Sequence, residues 1–302
     1  MHILLPPSEG KTAPVSGPAL DLDALSFPQF GAARRRVLEA LIEASSRSDA
    51  RDLLRVGARI MSEVRAQSSD LLSRPCAPAR ELYTGVLYDA AKLHAGDDVL
   101  IFSGLFGVTT GEDLIPDYRL PIGATLPGLG SVKSFWRREF ARWWPAGDVT
   151  AGVTVDMRSQ AYAVTVPQGP WWDVSITDSH GRVISHMAKH YRGLLTRALL
   201  DAESCVEARS HGESQPHDGP RSHGESQPHD GPRALARSYG DSHGDSADQS
   251  ARGVASTYWS VGDVAGERRL VSDVAKIARG LGRVDVVEDG LCHHLTLTPF
   301  GR

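Results

Sequence analysis

The sequence predicts a single compact α/β (α+β) domain with a mixed sheet flanked by helices. Three observations predict it. Short apolar runs bounded by Pro, Gly or Asp alternate with longer segments whose apolar residues recur at helical spacing. The 302 residues are 41% hydrophobic and 23% charged, enough to bury a sizeable core without staples. Near the C-terminus, two runs around Asp289-Gly290 read as a closing hairpin.

The elements follow in order. His2–Leu5 is a short apolar strand ended by Pro6-Pro7. Phe30–Ser45 is a helix, with Val37, Leu38, Leu41 and Ile42 on one face. Asp49–Arg65 repeats the pattern with Leu53, Leu54, Val56, Ile60 and Val64, capped by Ser48 or Asp49. Pro78–Leu93 is helical with a break near Gly85. Asp98–Ser103 is a buried strand, and Ser131–Trp144 is a helix with Ser131 as its cap. Gly152–Asp156, Tyr162–Val166, Trp172–Thr177 and Arg182–Ser185 read as strands. His186–Leu200 and Val271–Leu281 read as helices, and Val284–Glu288 with Cys292–Thr298 as the hairpin.

One stretch departs from this pattern. Residues 210–221, SHGESQPHDGPR, recur letter for letter at 222–233. Between Val206 and Gly253 the large apolar side chains are Val206, Leu235 and Tyr239, too few to offset the entropy of ordering. A low-complexity disordered insertion is therefore expected over 206–253, within a domain made of 1–205 and 254–302. The insertion carries eight acids and five arginines, so the formal charge of −4 leaves the remainder near −1. That balance excludes a uniformly basic coat, and nucleic-acid contact would need a local basic face. Cys76, Cys205 and Cys292 form no C-x-x-C pair and read as reduced thiols. The N-terminus lacks a signal-peptide pattern and no apolar run is long enough to span a bilayer, so a cytoplasmic protein is expected.

Several motifs bear chemistry. Gly10-Lys11-Thr12 follows a strand, but Leu5 stands where a P-loop needs glycine, and Pro14 and Pro18 forbid the following helix. Lys11 is then either an anion contact at a strand end or a solvated loop lysine. Leu126-Pro127-Gly128-Leu129-Gly130 matches the hairpin of a helix–hairpin–helix element, where Gly128 and Gly130 would let backbone N–H groups approach a phosphate. The second helix follows, with Lys133, Arg137, Arg138 and Arg142. A first helix is not evident, and a plain Gly/Pro loop entering an amphipathic helix explains the residues as well. His186, Lys189 and His190 share a helical face, with Arg192 and Arg197 nearby. That face suits phosphate binding or acid–base work by a histidine. A third metal ligand is lacking, so no metal and no cofactor are expected. Asp156-Met157-Arg158 and Tyr118-Arg119 sit at strand ends, where α/β sheets place ligands.

The ordered set PPSEGKT, ELYTGVLYDA, FSGLFGVTTGEDLIPDYRLPIG, SFW, VDMRSQAY and SHMAKHYRGLL resembles the YaaA family of peroxide-stress proteins, from residue 1 to about 200. The resemblance implies a compact α/β domain of unusual topology with a positively charged cleft. It also implies cytosolic protection against hydrogen peroxide and iron-mediated damage, and duplex DNA binding through a helix–hairpin–helix-like element. It brings no established reaction. The matching motif positions are Ser8, Lys11, Thr12, Tyr83, Thr84, Gly85, Ser103, Gly104, Gly107, Tyr118, Arg119, Lys189, Arg192 and Gly193. The family often has Arg-Pro where this chain has Thr109-Thr110, which would remove one phosphate contact. The C-terminal third matches poorly.

Two functions compete on these residues. A DNA-binding stress protein would hold duplex phosphates on Lys11, Arg119, Gly128, Gly130, Lys133, Lys189 and Arg192. An enzyme acting on a nucleotide or nucleobase would draw catalytic groups from Tyr83, Asp156 and His190. Iron handling by the histidines of the insertion lacks a coherent ligand set.

Overall fold

The computed structural model describes residues 1–143, 153–183, 185–212 and 273–300. The chain order is β1 (His2–Leu5), α1 (Gly31–Ser46), α2 (Ala50–Leu54), α3 (Met61–Ser69), β2 (Cys76–Pro78), α4 (Ala79–Leu82), α5 (Val86–Ala91) and β3 (Val99–Ser103). It continues with β4 (Gly107–Thr110), β5 (Leu114–Pro116), β6 (Thr125–Leu126), β7 (Gly130–Ser131), α6 (Val132–Trp143), β8 (Thr154–Asp156), β9 (Trp171–Ile176), α7 (Ser185–Gly212), β10 (Gly282–Asp289) and β11 (Cys292–Pro299). Residues 273–279 are also helical.

Seven strands form one mixed sheet in the order β10-β11-β9-β8-β1-β3-β4. Strands β11, β9, β8, β1 and β3 run parallel to their neighbours, and β10 and β4 close the two edges antiparallel. β1 is paired on both sides, Ile3 with Val99 and with Val155. Every residue of β1 is buried, the pattern of a strand covered on both faces. The closing hairpin enters this same sheet through β11 and β9, with Leu295 opposite Val174.

Away from the sheet's middle, Phe30, Phe102, Trp136 and Phe140 pack in tilted and edge-to-face pairs. The indole of Trp136 donates to the Gly104 carbonyl at 2.8 Å. Arg34 of α1 is fully buried there and donates to the carbonyls of Phe106, Val108 and Ser26. Desolvation pushes its pKa down to about 10, against the attraction of Asp113.

Several expectations require correction. The helix expected over 49–65 is two helices, because Arg55 takes a left-handed turn (φ 53°) and ends α2. Asp49 stands at the N-cap but makes no capping bond, and its carboxylate instead takes two bonds from Arg47. Tyr162–Val166 is irregular, not a strand: Arg158 holds it through the carbonyls of Tyr162 and Thr165. Residues 182–183 form only an isolated bridge, Val183 to Thr177, and residue 184 lies outside the described residues. The break in 78–93 is present, with Gly85 at φ 102° between α4 and α5. Ser131 caps α6 through the Ser134 amide. α7 continues to Gly212, so the first seven residues of the stretch expected as an insertion are helical, and 213–253 lies outside the described residues. Cys76, Cys205 and Cys292 are free, and burial pushes the Cys76 thiol up to about 11. Among the described residues no helix is long and apolar enough to cross a membrane.

The crossing of α5 and α7 depends on Gly193. A Cβ there would stand 2.2 Å from the Leu87 carbonyl oxygen and 2.7 Å from Ala90 Cβ. Gly193→Ala should therefore cost about 1–3 kcal/mol in urea unfolding. Gly57→Ala, at φ −67° with nothing within 4 Å, should be neutral or slightly stabilising in the same measurement.

Candidate functional site

The carboxyl ends of the parallel strands open into a cleft of about 390 Å³. Its walls come from the loop after β1, the start of α5, the loop after β5, the loop after β8, and α7. Lys11, Arg119, Lys189 and Arg192 line it, with Glu9 as the acid among the lining residues and Tyr88, Tyr118 and Tyr162 as its aromatic surfaces.

The loop after β1 is held by backbone pairing with the α4–α5 junction. Thr12 donates to the Leu82 carbonyl, Thr84 donates to the Gly10 carbonyl, and Lys11 bridges Tyr83. Gly85 is needed where this loop approaches, since a Cβ would lie 3.0 Å from Ser8 Oγ at a left-handed φ. Lys11 Nζ donates to the Ser8 carbonyl at 3.0 Å and lies 4.5 Å from the Tyr118 ring centroid and 5.5 Å from that of Tyr83. Desolvation brings its pKa down to about 8. Arg119 pushes the same way, and Asp117 and Glu9 oppose.

Tyr118 anchors the wall. Its hydroxyl shares a 2.7 Å hydrogen bond with Tyr83 and a further one with Ser103. Burial raises the pKa of both phenols, so they remain neutral donors. Tyr88 stacks on Tyr83 at 5.3 Å and donates to the Pro6 carbonyl. Gly104 lets the Tyr118–Leu120 segment close in, because a Cβ would meet the Leu120 carbonyl oxygen at 2.4 Å. Arg119 reaches Glu9 at 3.0 Å. Arg192 donates to the Val174 carbonyl, and its desolvated guanidinium feels Asp156 and Asp173.

The expected binding residues divide. Lys11, Arg119, Lys189 and Arg192 converge on the cleft. Lys133 stands beside it and donates to the Gln160 carbonyl at 2.8 Å. Gly128 and Gly130 are in the β6–β7 hairpin that leads into α6, both at positive φ. The preceding residues 114–124 hold β5 and turns, so the first helix of a helix–hairpin–helix element is missing. Of the expected catalytic groups, Tyr83 lies behind Tyr118, and His190 stacks edge-on against Tyr191. Asp156 is buried in a two-pronged pair with Arg158, at 2.9 and 2.7 Å. None of these three lines the cleft. The side chain of His186 lies outside the described residues. Thr109, where the family often has arginine, is fully buried on β4, so this departure takes no cation from the cleft lining.

Glu9, Tyr88 and Tyr162 were not singled out by sequence reasoning. The signal for Glu9 is its place just past a buried strand. For Tyr162 the strand assignment hid it. Among the described residues no group of three His, Cys, Asp or Glu side chains is arranged to hold a metal.

Two outcomes follow from these environments. Asp156→Asn leaves the buried Arg158 without its counter-charge and should cost about 3–5 kcal/mol in chemical denaturation. The unfolded chain binds the Lys11 proton more tightly than the folded one, so Lys11 contributes a rise in stability with pH between about 8 and 10.5. Lys11→Met should remove that rise from urea midpoints compared at about pH 7 and about pH 10.

The sequence profile of the family described as peroxide stress protein YaaA matches residues 1–205. A UPF0246 protein of Streptomyces coelicolor is 40% identical over 226 residues, covering 68% of this chain and 85% of the relative. A UPF0246 protein of Corynebacterium efficiens is 38% identical over 230 residues, covering 70% and 89%. An uncharacterized protein of Campylobacter jejuni is 28% identical over 208 residues, covering 65% and 82%. Motif positions far apart in sequence meet at one place: Ser8, Lys11 and Thr12 lie on Tyr83–Gly85, Ser103 touches Tyr118, and Gly193 sits against Leu87 below Lys189 and Arg192. With the matched profile and these relatives, the chain belongs to the peroxide stress protein YaaA family.

Proposed function

We propose that this protein serves a cytoplasmic response to peroxide by binding duplex DNA, with backbone phosphates resting on Arg119, Lys189 and Arg192 at the cleft. One observation carries the reading: four cations and one acid line a single cleft on a chain whose formal charge is −4. Such a local excess of positive charge on an acidic chain favours an anionic ligand. The peroxide-stress name of the family supports the cellular role. Lys133, Gly128 and Gly130, at and beyond the β6–β7 hairpin, extend the same phosphate surface.

A second reading draws on a different feature. The volume of about 390 Å³ and the three tyrosine surfaces suit a single nucleotide or nucleobase better than a rod-like duplex. In that reading the cleft is an enzyme's, and its acid–base groups are those that line it.

Fluorescence anisotropy with labelled duplex at two salt concentrations separates the two. Duplex binding that weakens steeply with salt is expected. Lys189→Ala combined with Arg192→Ala should weaken it and reduce the salt slope by about one for each phosphate these side chains neutralise. An unchanged slope would place the DNA elsewhere, and no binding at low salt would favour the nucleotide reading.

A further inference from the structure

We propose that Lys11 is an amine nucleophile that forms an imine with an aldehyde carried close to a phosphate ester in the cleft. This rests on the reading of the cleft as a phosphate-ester site. Lys11 enters the cleft from the loop after β1 and lies against the faces of Tyr118 and Tyr83, at 4.5 and 5.5 Å from their centroids. Among the described residues no carboxylate is bonded to Nζ; its partner is the Ser8 carbonyl. A phosphate contact alone would be served by an exposed lysine such as Lys189, with its solvation intact. Burying an ammonium in this wall costs solvation, and that desolvation leaves an amine with a pKa of about 8. Near neutral pH roughly a tenth of it is then uncharged, against well under about one in a thousand for an ordinary lysine. Such desolvated lysines are the ones that add to carbonyls.

The surrounding groups fit the step. Arg119, Lys189 and Arg192 can hold the phosphate while the aldehyde meets Nζ. The nitrogen lone pair attacks the carbonyl carbon, a C–N bond forms, and the C=O π pair moves onto oxygen. Proton transfer from nitrogen to that oxygen gives the carbinolamine. The nitrogen lone pair then expels the hydroxyl, which takes a proton and leaves as water, and a protonated imine remains. That proton comes from solvent water, since the Tyr118 hydroxyl is committed to Tyr83 and Ser103. No electrons pass to or from another reagent. The aldehyde has two possible sources, an abasic deoxyribose within a DNA strand or a free phosphorylated sugar aldehyde.

The test uses the full-length protein with cyanoborohydride, which reduces an imine to a stable amine. One arm contains a labelled duplex with a single abasic deoxyribose, the other glyceraldehyde 3-phosphate. Adducts are read by denaturing gel and intact mass and are mapped by peptide mass spectrometry. The expected adduct sits on Lys11, is lost in Lys11→Arg and persists in Lys276→Arg outside the cleft. A circular dichroism melt checks that Lys11→Arg is folded. Adduct in the duplex arm alone assigns the DNA source, and adduct in the other arm alone assigns the free sugar phosphate. Adduct spread over surface lysines, or undiminished in Lys11→Arg, overturns the proposal. Anisotropy with a duplex bearing an aldehyde-free abasic analogue separates the failures. Binding without adduct overturns the imine and leaves the phosphate reading standing, whereas neither binding nor adduct with any probe overturns both.

Discussion

The pairing of β1 on both edges is the constraint on which the rest of the molecule depends. Four residues, His2 to Leu5, carry hydrogen bonds to β3 on one side and β8 on the other. Ile3, Leu4 and Leu5 are almost wholly removed from solvent, each stabilising the fold by about 1.5–3 kcal/mol. Pro6-Pro7 then ends the strand, since proline offers no donor to a central ladder. The chain must leave the sheet at the edge where β3, β8 and β9 also end. The loop carrying Ser8, Glu9 and Lys11 is thereby delivered to the cleft, and the Tyr83 junction receives it by backbone bonds.

Desolvation, more than Coulomb attraction, sets the character of the polar groups around this edge. Lys11, Arg34 and Arg192 are all shifted downward chiefly by burial, with nearby carboxylates opposing. Arg34 is stabilised by carbonyls and serves the β3–β4 hairpin. Arg158 has Asp156 in a two-pronged bond and serves the loop that presents Tyr162. These buried cations organise the turn into β4 and the irregular stretch after β8. Those at the cleft retain capacity for an anion, because their partners are single carbonyls or the exposed Glu9.

Much of the fold was legible in local pattern. β1, α1, β3, α6, β9 and the β10–β11 hairpin were read from periodicity and turn residues, and the Gly85 break from glycine alone. The misread segments share a cause. Arg55 adopts a left-handed conformation that no side-chain rule favours, and it divided a helix that periodicity made continuous. Tyr162–Val166 has a strand's composition, but it is irregular, and Arg158 bonds the carbonyls of Tyr162 and Thr165. Asp156 looked like a catalytic carboxylate at a strand end, and its neutralisation by a residue two positions away depends on both side chains turning inward.

By itself, the sequence determined where the longer helices and the buried strands β1, β3 and β9 lie, that the chain is mixed α/β, and which cations stand just past strand ends. Those properties are local, and periodicity, proline and glycine act within a few residues. Only the tertiary structure decided that Lys11, Arg119, Lys189 and Arg192 share one cleft while Lys133 stands beside it and His190 is not among its lining residues. It also decided that Lys11 lies over Tyr118 and Tyr83 and is desolvated there, which lowers its pKa. Convergence of residues more than a hundred positions apart follows from strand order, and desolvation follows from what packs around a group. Neither is written in the neighbours along the chain.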